Sequence, residues 1–151
     1  MSAINNSYFS ITPSIYGLFI NLVSLKISIY SFLGGQFVEL KHLNLTVEEI
    51  APTRDFLLAY FDFEMKTEQG INPEVLVSPE GFILTLMQGK NVTYPKTFHI
   101  GFPQPATSDV DRIHERIKAD GYKVPSPKQT PHGYTFYVKT PGNFMIEVLS
   151  H

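Results

Sequence analysis

The chain has 151 residues, of which 43% are hydrophobic and 17% are charged, and its formal net charge is −2. This composition excludes a disordered acidic chain and a coiled coil, and the absence of a long basic run argues against a nucleic-acid partner. The sequence contains no cysteine, which excludes disulfides, thiolate metal sites and cysteine nucleophiles, so that a metal ion would need His, Asp, Glu or water as ligands.

The first 38 residues differ from the rest of the chain, because they contain a single charged side chain, Lys26. We interpret residues 1–38 as an N-terminal apolar extension and residues 39–151 as the domain. Residues 15–33 have the length of a membrane span, whereas residues 23–29 alternate like a strand. Three interpretations stay open: an extension without function or an upstream start, an extra strand or dimer contact, and a membrane anchor. We expect a cytoplasmic protein without a membrane partner.

The domain is predicted to contain two similar units in chain order. The first unit has a helix that begins near Pro52, and its strands are predicted at 40–47, 63–68, 74–77 and 82–87. The second unit has a helix that Ser108 caps and Gly121 ends, and its strands are predicted at 98–102, 122–124, 134–139 and 144–149.

The repeat sets the predicted fold class. One unit begins with His42-Leu-Asn-Leu and the other with His99-Ile-Gly-Phe, so module one is taken as 39–97 and module two as 98–151. Several strands with a single helix in each module indicate an α+β fold with mixed sheets, and they argue against a parallel α/β sheet.

Three side chains are candidate metal ligands. Strand alternation places His42 and His99 on the faces opposite their apolar neighbours, and Glu147 is the only charged residue in 142–149. A carboxylate in such a strand is costly to desolvate unless it is paired or bound to a metal. Two imidazoles and a carboxylate leave open positions on a divalent ion. Alternatively, the histidines are ordinary hydrogen-bonded polar groups and Glu147 pairs with Lys139 across the hairpin.

Three segments resemble the vicinal oxygen chelate superfamily, the group of glyoxalases, bleomycin-resistance proteins and extradiol dioxygenases. The segments are His42-Leu-Asn-Leu-Thr-Val, Phe98-His99-Ile-Gly-Phe and Phe136-Tyr137-Val-Lys-Thr-Pro-Gly-Asn-Phe-Met-Ile-Glu147, and the resemblance covers 39–150. It implies two βαβββ modules whose curled mixed sheets form an open barrel around a metal site. It also implies a divalent metal ion (Fe, Mn, Zn or Ni) on His42, His99 and Glu147, a small-molecule substrate and a homodimer, with sites formed within one subunit or across two.

The branch of the superfamily is less defined. Glyoxalase I enzymes use a fourth protein ligand at the position of Thr85, and bleomycin-binding members usually lack the ligands that this chain retains. Fosfomycin-modifying thiol transferases use three ligands, but their basic and Ser/Thr signature is not evident. Extradiol dioxygenases place a tyrosine ten residues before the glutamate, as Tyr137 stands before Glu147. We therefore predict a metal-dependent enzyme with a dioxygenase-like site, with a glyoxalase-type lyase or a non-enzymatic drug-sequestering protein as alternatives.

Two further residues are catalytic candidates. Tyr137 could donate to a substrate oxygen, with cross-strand packing as the alternative role. His132 could act as an acid–base group because an imidazole titrates near neutrality, with a mobile turn residue as the alternative. His114, beside Glu115 on the second helix, is predicted to be solvated.

Overall fold

The computed structural model describes residues 38–151, and apart from Val38 the predictions made for the N-terminal extension lie outside this range. The unit Leu40–His151 contains two helices and eight strands. In this part of the chain neither helix is long and apolar enough to cross a membrane.

The first module is a strand, a helix and three further strands. Its sheet has the order β1-β4-β3-β2, in which β1 runs parallel to β4 and the other neighbours are antiparallel. The elements are β1 (His42–Val47), α1 (Ile50–Tyr60), β2 (Glu64–Met65), β3 (Glu74–Val77) and β4 (Ile83–Gln88).

The second module repeats this topology. Its sheet has the order β5-β8-β7-β6, with β5 parallel to β8. The elements are β5 (His99–Pro103), α2 (Thr107–Ala119), β6 (Lys128–Thr130), β7 (Gly133–Lys139) and β8 (Met145–Ser150). The α+β fold with two βαβββ modules and mixed sheets is therefore confirmed. Neither described sheet closes into a barrel, so an open barrel would need two sheets side by side.

The strand predicted at 122–124 is wrong. Residues 122–127 have no regular structure, and the strand that precedes β7 is Lys128–Thr130. Pro125 and Pro127 lack the backbone donor that a sheet ladder needs. Tyr122 instead packs edge to face against Phe56 of α1, with ring centroids 5.0 Å apart. The segment therefore connects α2 to β6 within module two and packs against α1 of module one.

The second helix differs from its prediction in two details. Its N-cap residue is Ala106, which has no side-chain cap, so Ser108 does not cap the helix. His114 is only 3% exposed and packs edge to face against Phe136, so the prediction of a solvated His114 is wrong. The buried apolar stripe of the helix consists of Val110, Ile113 and Ile117.

Both modules share one hydrophobic core. Leu45 and Val47 of β1 are buried in it together with Ile146 and Val148 of β8. Because side chains alternate along a strand, His42 and His99 project from the opposite faces of their sheets. We call these opposite faces the ligand faces of the two modules.

Candidate metal site

The register of the two sheets shows which positions are equivalent in the repeat. Asn44 lies opposite Thr85 in the first sheet, and Gly101 lies opposite Glu147 in the second. Asn44 and Gly101 each stand two residues after the histidine that begins the strand of their module. Thr85 is therefore the equivalent of Glu147, as the sequence indicated, and the first module supplies a hydroxyl where the second supplies a carboxylate.

Glu147 is the centre of the polar cluster on the second ligand face. Its side chain is buried, and its Oε1 atom accepts a hydrogen bond from the hydroxyl of Tyr137 at 2.5 Å. The hydroxyl of Thr135 lies 3.1 Å from the same oxygen and shares its hydrogen between this atom and the carbonyl oxygen of Val148 at 2.9 Å. Its Oε2 atom lies 3.3 Å from Nε2 of His99. One carboxylate oxygen is thus held by two hydroxyl donors, and the other faces the imidazole.

The tautomer of His99 follows from its second contact. Nδ1 lies 2.9 Å from the carbonyl oxygen of Thr97, which can only accept, so Nδ1 carries the hydrogen. In the neutral ring, Nε2 therefore presents its lone pair to the Oε2 atom of Glu147. A lone pair and a carboxylate oxygen are stabilised at 3.3 Å only if a cation, either a proton or a metal ion, lies between them.

The spacing of these two atoms fits a shared metal ion. Protein nitrogen and oxygen ligands bind first-row divalent ions at about 2.0–2.2 Å, so two neighbouring ligands lie about 3 Å apart. A histidine whose other nitrogen donates to a backbone carbonyl is the usual arrangement of a metal ligand. The atoms of His99 and Glu147 meet both conditions without a change of conformation.

His42 stands apart from this pair. Its Nε2 atom lies 3.0 Å from the hydroxyl oxygen of Thr85, on the ligand face of the first module. Within residues 38–151 of one chain, no three His, Asp or Glu side chains come close enough together to hold a metal ion. The fold thus brings together two of the three predicted ligands, His99 and Glu147.

The two catalytic candidates have different surroundings. The hydrogen bond to Glu147, followed by burial and the negative charge of this carboxylate, raises the pKa of Tyr137 to about 12. Tyr137 therefore stays protonated and donates to the carboxylate. His132 lies exposed in the turn between β6 and β7, where its backbone N–H donates to the hydroxyl of Thr130. No contact joins the His132 ring to the Glu147 cluster in the described range.

Sequence reasoning missed Thr135 and Thr97. Thr135 stands two residues before Tyr137 on β7, and alternation alone places both side chains on one face. The role of Thr97 leaves no sequence signal, because it acts through its backbone carbonyl.

Two depressions adjoin His99. One, which we call the His99 pocket, has a volume of about 360 Å³ and is lined by Lys96, Thr97, Phe98, His99, Tyr137 and Met145. The other has about 650 Å³ and lies along the edge strands β1 and β5. It is mainly apolar, with Leu43, Phe61, Phe82 and Phe102 among its lining residues. Room for a small molecule is thus present beside the imidazole.

Comparison with known proteins agrees with this architecture. The chain belongs to the Glyoxalase/Bleomycin resistance protein/Dioxygenase superfamily, whose family model matches residues 39–148. A protein of known structure from Bacillus cereus, described as a possible glyoxalase, is 49% identical; the match covers 75% of this chain and 99% of that one, with a TM-score of 0.70. No curated protein matches the sequence.

More distant structures show the same fold. One is a mutant of the fosfomycin resistance protein FosX from Listeria monocytogenes, complexed with Mn(II) and 1S,2S-dihydroxypropylphosphonic acid. It is 23% identical, and the match covers 76% of this chain and 93% of that one, with a TM-score of 0.64. Lactoylglutathione lyase from Agrobacterium tumefaciens is 16% identical, and the match covers 76% of this chain and 94% of that one, with a TM-score of 0.62.

Proposed function

We propose that the protein is a divalent-metal-dependent enzyme that acts on a small substrate with two vicinal oxygens, with His42, His99 and Glu147 as metal ligands. The observation that carries the proposal is the 3.3 Å approach of His99 Nε2 to Glu147 Oε2. The carbonyl oxygen of Thr97 holds the other nitrogen of the imidazole, and the hydroxyl of Tyr137 holds the other oxygen of the carboxylate. Family membership and the Mn(II) complex of the FosX mutant support it. Such an ion (Fe, Mn, Zn or Ni) would supply Lewis acidity and a template for both substrate oxygens.

The separation of His42 from the other two ligands supports a site shared between subunits. In this proposal a homodimer places the ligand face of module one from one subunit beside that of module two from the other. His42 of one subunit then completes the site of His99 and Glu147 in the second. The two sheets together would form the open barrel that neither forms alone.

The residues around the site have defined roles in this proposal. Thr97 orients the imidazole of His99 through its carbonyl, and Tyr137 and Thr135 orient the carboxylate of Glu147. The adjoining apolar cleft would hold the hydrocarbon part of the substrate and limit access of water. Binding and orientation are thus assigned to this chain's own side chains.

The ligand count favours a dioxygenase-like site over a glyoxalase-type lyase. With Thr85 at the position of the fourth ligand, three protein ligands leave room for two substrate oxygens. A glyoxalase-type lyase is the second candidate, because the 49% identical relative is described as a possible glyoxalase. Sequestration of a drug without turnover is the remaining outcome that an experiment must distinguish.

Metal content tests the ligand set. Protein purified without chelator and dialysed against Mn²⁺ is expected to hold one ion per chain, measured by elemental analysis. His42→Ala, His99→Ala and Glu147→Ala should each lose the ion, whereas His132→Ala, a histidine in an exposed turn, should retain it. Retention of the ion by all three ligand variants would overturn the proposal.

Subunit mixing tests whether the site is shared. His42→Ala and His99→Ala chains are unfolded together and refolded, so that mixed dimers form. A shared site predicts that mixed dimers regain one of their two ions, because each chain supplies the ligand that the other lacks. A site within one chain predicts that no ion is regained.

Turnover separates the candidate reactions. Oxygen-dependent ring cleavage of catechol by the iron-loaded protein supports the dioxygenase-like reaction. Turnover of a hemithioacetal by the nickel- or zinc-loaded protein supports the lyase. Binding of bleomycin with no turnover of either substrate supports sequestration and contradicts an enzymatic function.

A further inference from the structure

We propose that the substrate carries an anionic group in addition to its metal-binding oxygens, and that Lys96 and Lys139 bind this group beside His99. The inference rests on the proposed function, because it specifies the substrate of the same site. It comes from the charges that surround the His99 pocket.

Lys139 is placed by the register of β7 and β8. It stands two residues after Tyr137 and therefore on the same ligand face, directly opposite Met145, which lines the His99 pocket. The sequence allowed an ion pair between Lys139 and Glu147, but the register sets Tyr137 opposite Glu147 instead. No carboxylate of residues 38–151 lies within ion-pair distance of the Lys139 ammonium group.

Lys96 reaches the pocket from the segment that precedes β5. It lines the His99 pocket together with Tyr137 and Met145, and its side chain is exposed. Like Lys139, it forms no ion pair with any carboxylate of the described chain. One ammonium group without an acidic partner thus lines the pocket, and a second stands on the same face, opposite the lining residue Met145.

The charge of this ligand face does not follow from the composition of the chain. The net charge of the protein is −2, yet Glu147 is the only acidic residue of β5, β7 and β8. Oε1 of Glu147 faces two hydroxyl donors, and its Oε2 atom faces His99. Lys128 adds a third ammonium group at the outer edge, since it lies opposite Thr135. A cleft with such an excess of one sign attracts ligands of the opposite sign.

The class of substrate follows from the donors. An ammonium group offers three hydrogen-bond donors on a flexible stem, so it accommodates a carboxylate, a phosphate or a phosphonate equally well. A neutral diol or a neutral ketone would leave both lysines unpaired. We therefore assign the substrate to the small acids, with vicinal oxygens for the metal and a separate anionic group for the lysines.

Two hydroxy acids test the assignment. Lactate and malate both offer a hydroxyl and a carboxylate on adjacent carbons, but malate has a second carboxylate. Isothermal titration of the Mn²⁺-loaded protein is expected to give tighter binding of malate than of lactate. Lys96→Met and Lys139→Met should each weaken malate binding about fivefold, equivalent to about 1 kcal/mol, and leave lactate binding unchanged. 3-Phosphoglycerate in place of malate distinguishes a phosphate from a carboxylate.

The matched control is Lys118→Met, which removes a positive charge from α2 on the opposite side of the sheet. Equal affinity for malate and lactate, or the same loss of malate binding in Lys118→Met, would overturn the inference. The titrations are repeated without metal. Failure to bind Mn²⁺ contradicts the proposed function, whereas a lysine-dependent preference for malate in the metal-free protein still supports the anion site.

Discussion

Tyr137 donates a 2.5 Å hydrogen bond to Oε1 of Glu147, the residue directly opposite it on the neighbouring strand. The ten-residue spacing between them is thus the register of the β7–β8 hairpin. Because the phenol is directed at the carboxylate, it holds Glu147 with Oε2 toward His99. This geometry favours a positioning role for Tyr137 over the predicted role as a donor to the substrate.

Tyr137→Phe is expected to weaken metal binding. Loss of the phenol hydroxyl leaves Oε1 of Glu147 with Thr135 as its one donor among residues 38–151, so the carboxylate gains rotational freedom. Loss of a hydrogen bond to a metal ligand typically lowers metal affinity about 10–100-fold. Titration with Mn²⁺ measures the effect. Tyr134→Phe is the matched control, because Tyr134 bonds to Asp111 from the other face of β7, and an equal loss in that variant would contradict the positioning role.

Thr85→Val is expected to act in the opposite direction. The hydroxyl of Thr85 competes with a metal ion for Nε2 of His42, and a hydrogen bond of this kind contributes about 1 kcal/mol. Its removal should leave Mn²⁺ affinity unchanged or raise it up to about fivefold. Thr135→Val, which removes a donor from Glu147, should lower affinity instead. A lower affinity in Thr85→Val would show that the hydroxyl orients His42.

The sequence predicted the orientation of the three candidate ligands better than their assembly. Alternation was sufficient to place His42, His99 and Glu147 on polar faces, because a strand fixes the side of each residue. The meeting of His99 with Glu147 depends on the parallel pairing of β5 with β8, which alternation along a single strand does not encode. The separation of His42 depends on how the two modules share one core, and no local pattern encodes that packing.

The errors of prediction have local causes. His114 stands four residues after Val110 and therefore belongs to the same helical stripe, but its polar ring suggested exposure. Phe136 contacts that ring edge to face, which accounts for its burial. The strand predicted at 122–124 does not form because Tyr122 packs against Phe56, and the adjacent Pro125 cannot extend a ladder.

Glu74→Ala is expected to destabilise the fold by about 3–5 kcal/mol. Glu74 is 1% exposed and accepts hydrogen bonds from Arg54 at 3.0 Å and from the backbone N–H of Gly70 at 2.7 Å. Its removal leaves the buried guanidinium without this partner. Urea unfolding measures the change. The control Asp55→Ala removes the exposed partner of Arg54 and should cost less than about 1 kcal/mol. A larger cost for Asp55→Ala would contradict the role of the buried pair.

Replacing both Arg54 and Glu74 distinguishes the loss of their ion pair from the cost of leaving one charge buried without a partner. Arg54→Met combined with Glu74→Leu removes both charges and keeps similar side-chain volume. Its stability should recover most of the loss seen in Glu74→Ala, since no uncompensated charge is then buried. A double variant as unstable as the single one would show that the backbone contact of Gly70 carries the stabilisation.

Tyr60 makes the stability of the fold sensitive to alkaline pH. Burial, followed by the 2.5 Å hydrogen bond to Asp120 and the negative charge of this residue, raises the pKa of Tyr60 to about 12 from an ordinary value of about 10. Between these two values the folded chain keeps the proton that the unfolded chain loses. The contribution of Tyr60 is therefore fully present below pH 10 and decreases as the pH rises toward 12.

Tyr60→Phe should therefore flatten the decline of stability in alkali. The free energy of unfolding from urea titrations is compared at pH 8 and at intervals above pH 10, where Tyr60 accounts for a decrease of up to about 3 kcal/mol in the wild type. Asp120→Asn keeps the phenol but removes the neighbouring charge, so its decline should be intermediate. Wild type and Tyr60→Phe share every other titratable group, so the difference between their declines isolates the contribution of Tyr60. An equal decline in the wild type and Tyr60→Phe would show that this phenol does not keep its proton in the fold.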